Sequence, residues 1–513
     1  MKGGSAMDFR GILSTSSKRK LMLIERLYYK REGIPSDQLL VELSCSLPIL
    51  LNDVKLINEQ HEDFFVKKIK GFYRLQIKEK VSIGKIYSDV VNQSPEFQII
   101  EQLLYEECDN LITLAERLFL SVSNTQRYLK KIEKILKQAG LHLCYRPLRI
   151  EGKESVVRHF YYCYFIEKQK AVEEVLPDLK SYQFLSIEQF AVEFIERNQL
   201  LKKYIFQKRI VYTIYISLWR IMNHHPYPID EMHNNGLVLP SKQTCTDFGN
   251  TVQELFHMEL TNEIMQDCLW LLYSNSLVVS EQQQKSALEK NQRYLKMYTI
   301  HNELAESFNQ LTGKKFSKEQ VNYLTTVLLN DCYLYEPNGK YINILSKSRD
   351  VFLELASIMY KPAIEKVRAI VQNFVTKHEL YQEEDFVKNY MYLLLTSIPE
   401  TFQLLVEQEK VIHLLLLSDL TPTEEEFLAM HIKDNIYGNF KIDHFELVAN
   451  GKNGMYAAML CYDGLITTGS VEGLPENFPL IVLDSYITPH HLVVIQNLVN
   501  ELSIQKNAEF VIN

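Results

Sequence analysis

The sequence has no apolar run long enough to form a membrane helix. Its longest apolar stretches, such as residues 411–417, fall far short of the roughly 20 residues that a transmembrane helix needs. No secretory hydrophobic region follows the amino terminus. We therefore predict a cytoplasmic protein that has no membrane partner.

The cysteines of the sequence are not spaced as metal ligands are. The 8 cysteines are scattered without a CxxC pair or a Cys/His pattern, which argues against a disulfide framework, an iron–sulfur site or a structural zinc. Buried apolar positions are where such residues are expected. We predict that the protein binds no metal.

Catalytic and nucleotide-binding motifs are missing too. The sequence contains no Walker-type phosphate loop, no GxGxxG after a strand, no GxSxG and no HExxH. The histidine pairs at 224–225 and 490–491 do not share a helix face, so they are poor metal ligands. The glutamates at 424–426 are typical of a helix amino terminus. We predict neither enzyme activity nor a cofactor.

Length and charge predict several globular domains with a basic amino-terminal end. A chain of 513 residues corresponds to roughly three to five domains. The net charge is -8, yet residues 1–160 hold 26 Lys and Arg against 20 Asp and Glu, while the remainder holds 30 against 44. This distribution is typical of a DNA-binding end attached to domains that do not touch phosphate.

Residues 7–80 are predicted to form a winged helix-turn-helix. Ser17 is positioned to cap a first helix, Pro35 starts a second, and a third begins near Leu47. Residues 64–75 have strand composition around a central glycine, as a β-wing has.

Residues 90–158 are predicted to form a second helix-turn-helix of the same kind. The turn at 43–46 (LSCS) recurs at 120–123 (LSVS), 77 residues later, with Val122 expected to be buried in the turn. A basic helix follows, and residues 141–152 repeat the wing. Because the second recognition helix is polar and basic, we expect it to make most of the base contacts.

Two groups of side chains are the candidate contacts to double-stranded DNA. The second recognition helix supplies groups for base edges and phosphates at Asn124, Thr125, Gln126, Arg127, Tyr128, Lys130 and Lys131. The first recognition helix adds Asn52 and Lys55, and the wings supply cations for backbone phosphates at Lys67, Lys68, Lys70, Arg74, Arg146 and Arg149.

The middle of the chain repeats itself. Residues 206–218 align with 316–328 at an offset of 110, and residues 268–274 align with 390–396 at an offset of 122. The periodic apolar positions are typical of helix packing. The repeat predicts two homologous helical domains, at 175–281 and 283–402.

The last part of the chain changes character. Residues 411–417 are of buried-strand type, a helix start follows at Thr423, and further strands are predicted near 440 and 480 before a closing helix at 489–502. Strands that alternate with helices predict a small α/β domain with a parallel sheet at 408–513. The predicted fold is therefore multidomain and mainly α, with two winged helix-turn-helix domains, two helical domains and a C-terminal α/β domain.

This order of domains resembles the Mga/AtxA family of Gram-positive virulence regulators over nearly the whole chain. Residues 120–135 resemble the family's Mga-type helix-turn-helix, and residues 147–154 (PLRIEGKE) resemble the segment that ends it. The resemblance implies helical domains similar to phosphotransferase-system regulation domains (PRDs) and an EIIB-like last domain. It also implies a cytoplasmic transcriptional activator of virulence or carbohydrate-utilisation genes that forms a homodimer through its C-terminal domain.

Regulation in this family is histidine phosphorylation by the sugar phosphotransferase system, whose phosphocarrier proteins are the implied partners. The positions that align with the family's phosphohistidines hold Lys208 and Tyr392, which have no imidazole to accept phosphate. The loop at 417–422 also lacks the cysteine of an EIIB carrier, which favours a scaffold or dimerisation role. The remaining candidate phosphohistidines are His224, His225, His257, His301 and His378.

Two other functions share parts of this pattern. An RNA-binding antiterminator also carries paired regulation domains, but it begins with a small strand-rich domain, unlike the helical amino terminus of this chain. A phosphotransfer carrier would need the missing cysteine and would take up labelled phosphate. A DNA-binding regulator is the preferred interpretation.

Overall fold

The structure is a computed structural model of the chain. It describes residues 7–79, 81–168, 176, 179–200, 202–228, 236–273, 277–334, 342–380, 383–445, 456–471, 473–484 and 486–508. The described part is mainly helical, as predicted. It divides into two compact units: residues up to Tyr294 with Asn330–Ser346 form the first unit, and Leu295–Leu329 with the residues from Lys347 onward form the second.

The first unit begins with a short strand and a winged helix-turn-helix. Its elements are β1 (Met7–Asp8), α1 (Thr15–Tyr29), β2 (Ile34–Pro35), α2 (Ser36–Glu42), α3 (Leu47–Gln60), β3 (Phe64–Ile69) and β4 (Phe72–Ile77). Ser14, not Ser17, caps α1, because the Ser14 hydroxyl accepts the Ser17 amide hydrogen at 3.1 Å. The antiparallel strands β3 and β4 form the expected wing, and β2 pairs with β4.

This first helix-turn-helix has a hydrophobic core of its own. Leu27, Leu39, Leu50 and Ile57 lie in it beside the wing residue Phe64, and all five are fully buried. The repeat of apolar residues every three to four positions puts these side chains on one face of each helix. The helices pack against the wing, and Ile86 of the following helix joins the same core.

The second helix-turn-helix is built into a larger helical body. Its elements are α4 (Ile83–Gln93), α5 (Pro95–Tyr105), α6 (Leu111–Arg117), α7 (Val122–Leu136), β5 (His142–Tyr145), β6 (Leu148–Glu151) and α8 (Glu154–Lys168). Helices α9 to α14 follow, at Ser181–Arg197, Tyr204–Met222, Thr246–Phe256, Asn262–Cys268, Trp270–Tyr273 and Glu281–Lys290.

One core is shared by the second helix-turn-helix and the helices after it. Ile132 of α7 and Leu148 of β6 belong to the same buried cluster as Phe160 of α8, Phe194 of α9 and Tyr215 of α10. The described residues of the predicted segments 90–158 and 175–281 share this core. Helix α8 begins in the first segment and runs toward the second.

The remaining helices and strands lie further along the chain. They are α15 (Gln292–Leu311), α16 (Lys318–Leu334), β7 (Ile342–Asn343), α17 (Ser348–Met359), α18 (Lys361–Lys377), α19 (Glu384–Thr396), α20 (Thr401–Glu407), β8 (Ile412–Leu417), α21 (Pro422–Asn435), β9 (Phe440–His444), β10 (Gly464–Thr467), β11 (Leu480–Val482) and a closing helix (Pro489–Ala508). Strands β8 to β11 form a parallel sheet in the order β11-β10-β8-β9. Strand β7 pairs with β1 in the first unit.

Buried positions coincide at both offsets of the internal repeat. At the offset of 110, Ile214 and Leu324 are both fully buried, and at the offset of 122, Cys268 and Tyr390 are both fully buried. The same helix faces therefore turn inward in both copies. All eight cysteines are free thiols, but only Cys108, Cys245, Cys268 and Cys332 are buried as expected.

Two neighbouring leucines of α3 test the burial of the first core. Leu50 is 0% exposed and Leu51 is 51% exposed. Leu50→Ala should lower the free energy of unfolding of the first helix-turn-helix by about 2–5 kcal/mol, because it leaves a cavity. Leu51→Ala should change it by less than about 0.5 kcal/mol. Amide hydrogen exchange in α1 and α3 measures both, and equal losses of protection would contradict the packing.

Candidate nucleic-acid interface

Side chains at the helix ends shape the second helix-turn-helix. The Asn110 carboxamide accepts the Ile112 and Thr113 amide hydrogens at 2.8 and 3.2 Å, which starts α6. The Ser121 hydroxyl accepts the Asn124 amide hydrogen at 3.2 Å, which starts α7. Between them Phe119 adopts the left-handed conformation with φ 55°. The turn is therefore fixed by local hydrogen bonds.

The first helix-turn-helix has the same turn, displaced by 75 residues and not by 77. Ser44 and Phe119 are the left-handed turn residues, and Ser46 and Ser121 precede the recognition helices. The LSCS/LSVS match was therefore two positions out of register. Val122 is the first residue of α7 and is exposed, so the expectation that it is buried in the turn was wrong.

Helix α7 divides cleanly into two faces. Leu129, Ile132 and Leu136 are buried in the shared core. The opposite face exposes carboxamide and cationic side chains at Asn124, Gln126, Arg127 and Lys130. Arg127 and Lys130 form no ion pair with any residue that the structure describes. This face therefore offers free hydrogen-bond donors and uncompensated positive charge, which suit base edges and phosphates.

Three side chains of α7 that were predicted to contact DNA lie against other parts of the protein. Thr125 is fully buried and its hydroxyl donates to the Ser121 carbonyl at 3.1 Å, so its prediction as a DNA contact was wrong. Tyr128 is half-buried beside the shared core. The Lys131 ammonium lies 3.4 Å from the carbonyl oxygens of Ile12 and Leu13, to which it donates. Lys131 is thereby directed toward the amino-terminal segment.

The first recognition helix presents different chemistry at equivalent positions. With the 75-residue offset, Asn52 corresponds to Arg127 and Lys55 to Lys130, and both are exposed. Lys55 lies 3.8 Å from Glu59. Asp53 is buried and pairs with Arg19, with the Arg19 Nε 2.5 Å from a carboxylate oxygen. Asp53 is therefore part of the first core and not of the outer surface.

The two wings differ in the exposure and the ion pairing of their cationic side chains. In the first wing Lys67, Lys68, Lys70 and Arg74 are all exposed, and Lys67 stands directly opposite Arg74 in the hairpin. In the second wing Arg146 is exposed. Arg149 is half-buried and donates through Nε to Glu151 at 2.7 Å, so its charge is already compensated.

A buried ionic network joins the second helix-turn-helix to the helices behind it. Glu106, at the end of α5, accepts from Arg220 of α10 at 2.9 Å. Arg220 also donates two hydrogen bonds to Glu154 of α8, at 3.0 and 2.8 Å. The Arg158 guanidinium of α8 donates to Glu154 at 2.8 Å and to Asp267 of α12 at 2.5 Å. The guanidinium groups are almost completely buried.

Sequence reasoning missed this network. The only local signal is Glu154 followed four residues later by Arg158 in an otherwise apolar helix, which is the spacing of an ion pair on one helix face. Arg220 and Asp267 come from distant parts of the chain, so nothing in the local pattern connects them. A buried charge that loses its partner is strongly destabilising, so these positions fix the docking of the second helix-turn-helix.

The five candidate histidines fall into three environments. His224 and His257 are exposed, directly after α10 and α11. His225 is half-buried, and its Nε2 lies 3.0 Å from Glu106 of the buried network. His378 is half-buried, and its Nε2 lies 3.1 Å from Glu303.

His301 is unsuited to phosphorylation, which corrects its place among the candidates. The ring is fully buried, Nδ1 donates to the Met297 carbonyl at 2.7 Å, and Nε2 lies 2.8 Å from the Tyr390 hydroxyl. Burial lowers the pKa of His301 to about 4. The imidazole is therefore a neutral structural group.

The described residues contain neither a metal-ligand cluster nor a helix that could span a membrane. Within the described ranges, no group of three or more His, Cys, Asp or Glu side chains is arranged to hold a metal ion. None of the described helices combines the length and the apolar character that crossing a membrane requires.

Comparison with known proteins agrees with this geometry. A model of the Mga helix-turn-helix domain matches residues 79–165. That range is wider than the predicted 90–158, because it includes α4 and most of α8, which pack on each other. The chain is 27% identical over 217 residues to the capsule synthesis positive regulator AcpA of Bacillus anthracis, which covers 42% of this chain and 44% of that protein.

Two further relatives extend the comparison. The capsule synthesis positive regulator AcpB of Bacillus anthracis is 27% identical over 173 residues, or 33% of this chain and 36% of that protein. A trans-acting regulator of Streptococcus pneumoniae serotype 4 is 18% identical over 439 residues, or 85% and 88%. The matches thus span less than half the length of the two capsule regulators.

These findings show that the chain contains an Mga-type helix-turn-helix domain and that it is similar to proteins named as regulators. The resemblance to the Mga/AtxA family of regulators is thereby confirmed.

The buried His301 predicts an acid-sensitive second unit. Its folded pKa of about 4 lies below the ordinary value of 6.5, so its stabilising contribution is complete above pH 6.5 and is lost as the pH falls toward 4. Between pH 7 and pH 5 the loss should be about 2 kcal/mol. Urea unfolding followed by circular dichroism measures it. His301→Asn should remove this loss of stability between pH 7 and pH 5. His413→Asn, which replaces an exposed histidine, should leave the loss unchanged.

Proposed function

We propose that this protein is a DNA-binding transcriptional activator whose second helix-turn-helix makes the principal base contacts. The observation that carries the proposal is the outer face of α7, where Asn124, Gln126, Arg127 and Lys130 are exposed together. Asn and Gln pair with adenine, and Arg and Lys pair with guanine, in the major groove. The exposed wing cations would hold the flanking phosphates.

The proposed targets follow from the relatives. Two of them are named as positive regulators of capsule synthesis, which supports an activator of virulence genes or carbohydrate-utilisation genes. The RNA-binding alternative is disfavoured, because the amino-terminal part of this chain carries two helical DNA-binding motifs instead of a strand-rich domain.

The role of α7 predicts a specific loss of DNA binding. Arg127→Ala combined with Lys130→Ala should weaken binding to a duplex by at least tenfold and should lower the salt dependence of the affinity by about one unit per lost phosphate contact. Fluorescence anisotropy with selected duplexes at several salt concentrations measures both quantities.

The control removes equal charge elsewhere. Arg197→Ala with Lys202→Ala deletes two exposed cations near the end of α9, whose ion pairs with Glu193 and Glu196 lie at the surface. This variant should bind as the unmodified chain does, since surface pairs contribute little to stability. Equal losses in both double variants would refute base and phosphate contacts by α7.

We further propose that phosphorylation modulates DNA binding through His225. Its Nε2 contacts Glu106, which also holds Arg220, in a network of two guanidinium groups and three carboxylates. A phosphoryl group on Nε2, received from a phosphocarrier histidine in exchange for the ring proton, adds about two negative charges beside Glu106. Repulsion would then loosen the joint between α5 and α10.

Radioactive phosphoenolpyruvate with the general phosphotransferase proteins tests this site. Because Lys208 and Tyr392 cannot take phosphate on an imidazole, we expect only weak labelling. That label should be lost in His225→Ala, while exposed His257→Ala serves as the matched control and should keep it. Label that survives His225→Ala, or the absence of label, would rule out this mode of regulation without affecting the DNA-binding proposal.

Homodimerisation through residues 408–513 completes the proposed function. Strand β11 lies at the edge of the parallel sheet and exposes Leu480 and Val482, and α21 exposes Phe427 and Met430. Exposed strand edges and clustered apolar side chains are common at protein interfaces, which supports self-association at this domain.

A further inference from the structure

The first recognition helix exposes aliphatic side chains at Ile49 and Leu51, where the second exposes the amides Asn124 and Gln126. Leu47, Ile49 and Leu51 are 43, 40 and 51% exposed. The 75-residue offset makes them equivalent to Val122, Asn124 and Gln126 of α7. Leu47 and Leu51, four residues apart, lie on one side of the exposed surface of α3, and Ile49 lies on the other side. Exposed large apolar side chains mark a contact surface, and these lie where a recognition helix meets its ligand.

The wing beside this helix carries exposed positive charge. Lys67 and Arg74 are directly opposite each other in the β3–β4 hairpin, and like charges in this arrangement repel. Neither forms an ion pair with a described residue. A phosphate between them would relieve the repulsion, so the charge pattern favours nucleic acid over an apolar protein partner.

The wing is rigidly attached to the recognition helix. The Asn58 side chain, near the end of α3, donates to the Val66 carbonyl at 3.0 Å and accepts the Val66 amide hydrogen at 2.7 Å. The cations of the wing and the leucines of α3 therefore belong to one fixed surface. The same duplex can meet both.

We propose that α3 lies in the major groove over an A·T-rich segment and recognises thymine by its 5-methyl groups. Leu47, Ile49 and Leu51 would pack on thymine methyls, and Asn52 would form paired hydrogen bonds with adenine N6 and N7. Lys67 and Arg74 would hold the adjoining phosphates. The inference rests on the proposed function and deepens it, because it assigns a base preference to the helix with few charges.

Deoxyuridine tests the proposal, because it lacks only the methyl group of thymidine. A duplex selected from a random-sequence pool by the full chain is prepared once with thymidine and once with deoxyuridine in the segment that the first helix-turn-helix protects. The unmodified chain should bind the deoxyuridine duplex three- to tenfold more weakly, as expected for roughly one to two methyl groups left in water.

Leu51→Ala should bind the thymidine duplex more weakly and should lose most of the preference for thymidine. The matched control is Leu185→Ala, which removes another leucine that is 51% exposed, on α9; it should keep the full preference. Equal binding of both duplexes by the unmodified chain, or an unchanged preference in Leu51→Ala, would overturn the proposal.

Two further outcomes separate this inference from the function on which it rests. In the first outcome, the Arg127 and Lys130 double variant loses binding and the unmodified chain shows no preference for thymidine. This result would support DNA binding by α7 and overturn methyl recognition by α3. In the second outcome, Leu51→Ala self-associates less in sedimentation experiments and keeps its DNA affinity. This result would identify the leucines as a protein interface and would also overturn methyl recognition by α3.

Discussion

The buried contact between Glu106 and Arg220 holds the second helix-turn-helix in place. Glu106 ends α5, directly before the helix-turn-helix, and Arg220 is buried near the end of α10, so the pair ties the helix-turn-helix to the helical body. Glu154, Arg158 and Asp267 extend the tie to α8 and α12. Because each charge depends on its neighbours, the network transmits a disturbance at one end to the other. A half-buried histidine at the Glu106 end is therefore well placed to influence the motif.

The two helix-turn-helix motifs share a backbone and differ in surface chemistry. Equivalent left-handed turn residues and buried helix positions align them at the 75-residue offset, although only Ser121, and not Ser46, caps its helix with a side-chain hydrogen bond. One copy carries amides and cations on its outer helix, and the other carries leucines with a strongly basic wing. Tandem copies of this kind can recognise different bases without any change of fold, because the side chains on a helix face are chosen independently of its core.

Local patterns predicted the helix-turn-helix motifs well and their depth of burial poorly. Helix periodicity located α3 and α7, the glycine-centred hairpin located the first wing, and the recurrence of the pattern located the second, since those signals are short-range. Thr125 and Lys131 were assigned to the outer surface from residue type alone, but the position of a side chain around the helix axis decides whether it faces the core. The network at Glu106 could not be predicted, because its partners come from segments far apart in sequence.

The shared core around Phe160 and Tyr215 has a genetic consequence. A truncation that ends after α8 would leave the second helix-turn-helix with the apolar surface that normally packs on α9 and α10, and the fragment would be a substrate for chaperones and proteases. Nonsense mutations in the middle of the gene should therefore behave as recessive loss of function. They should not produce a stable helix-turn-helix fragment that interferes with the intact protein.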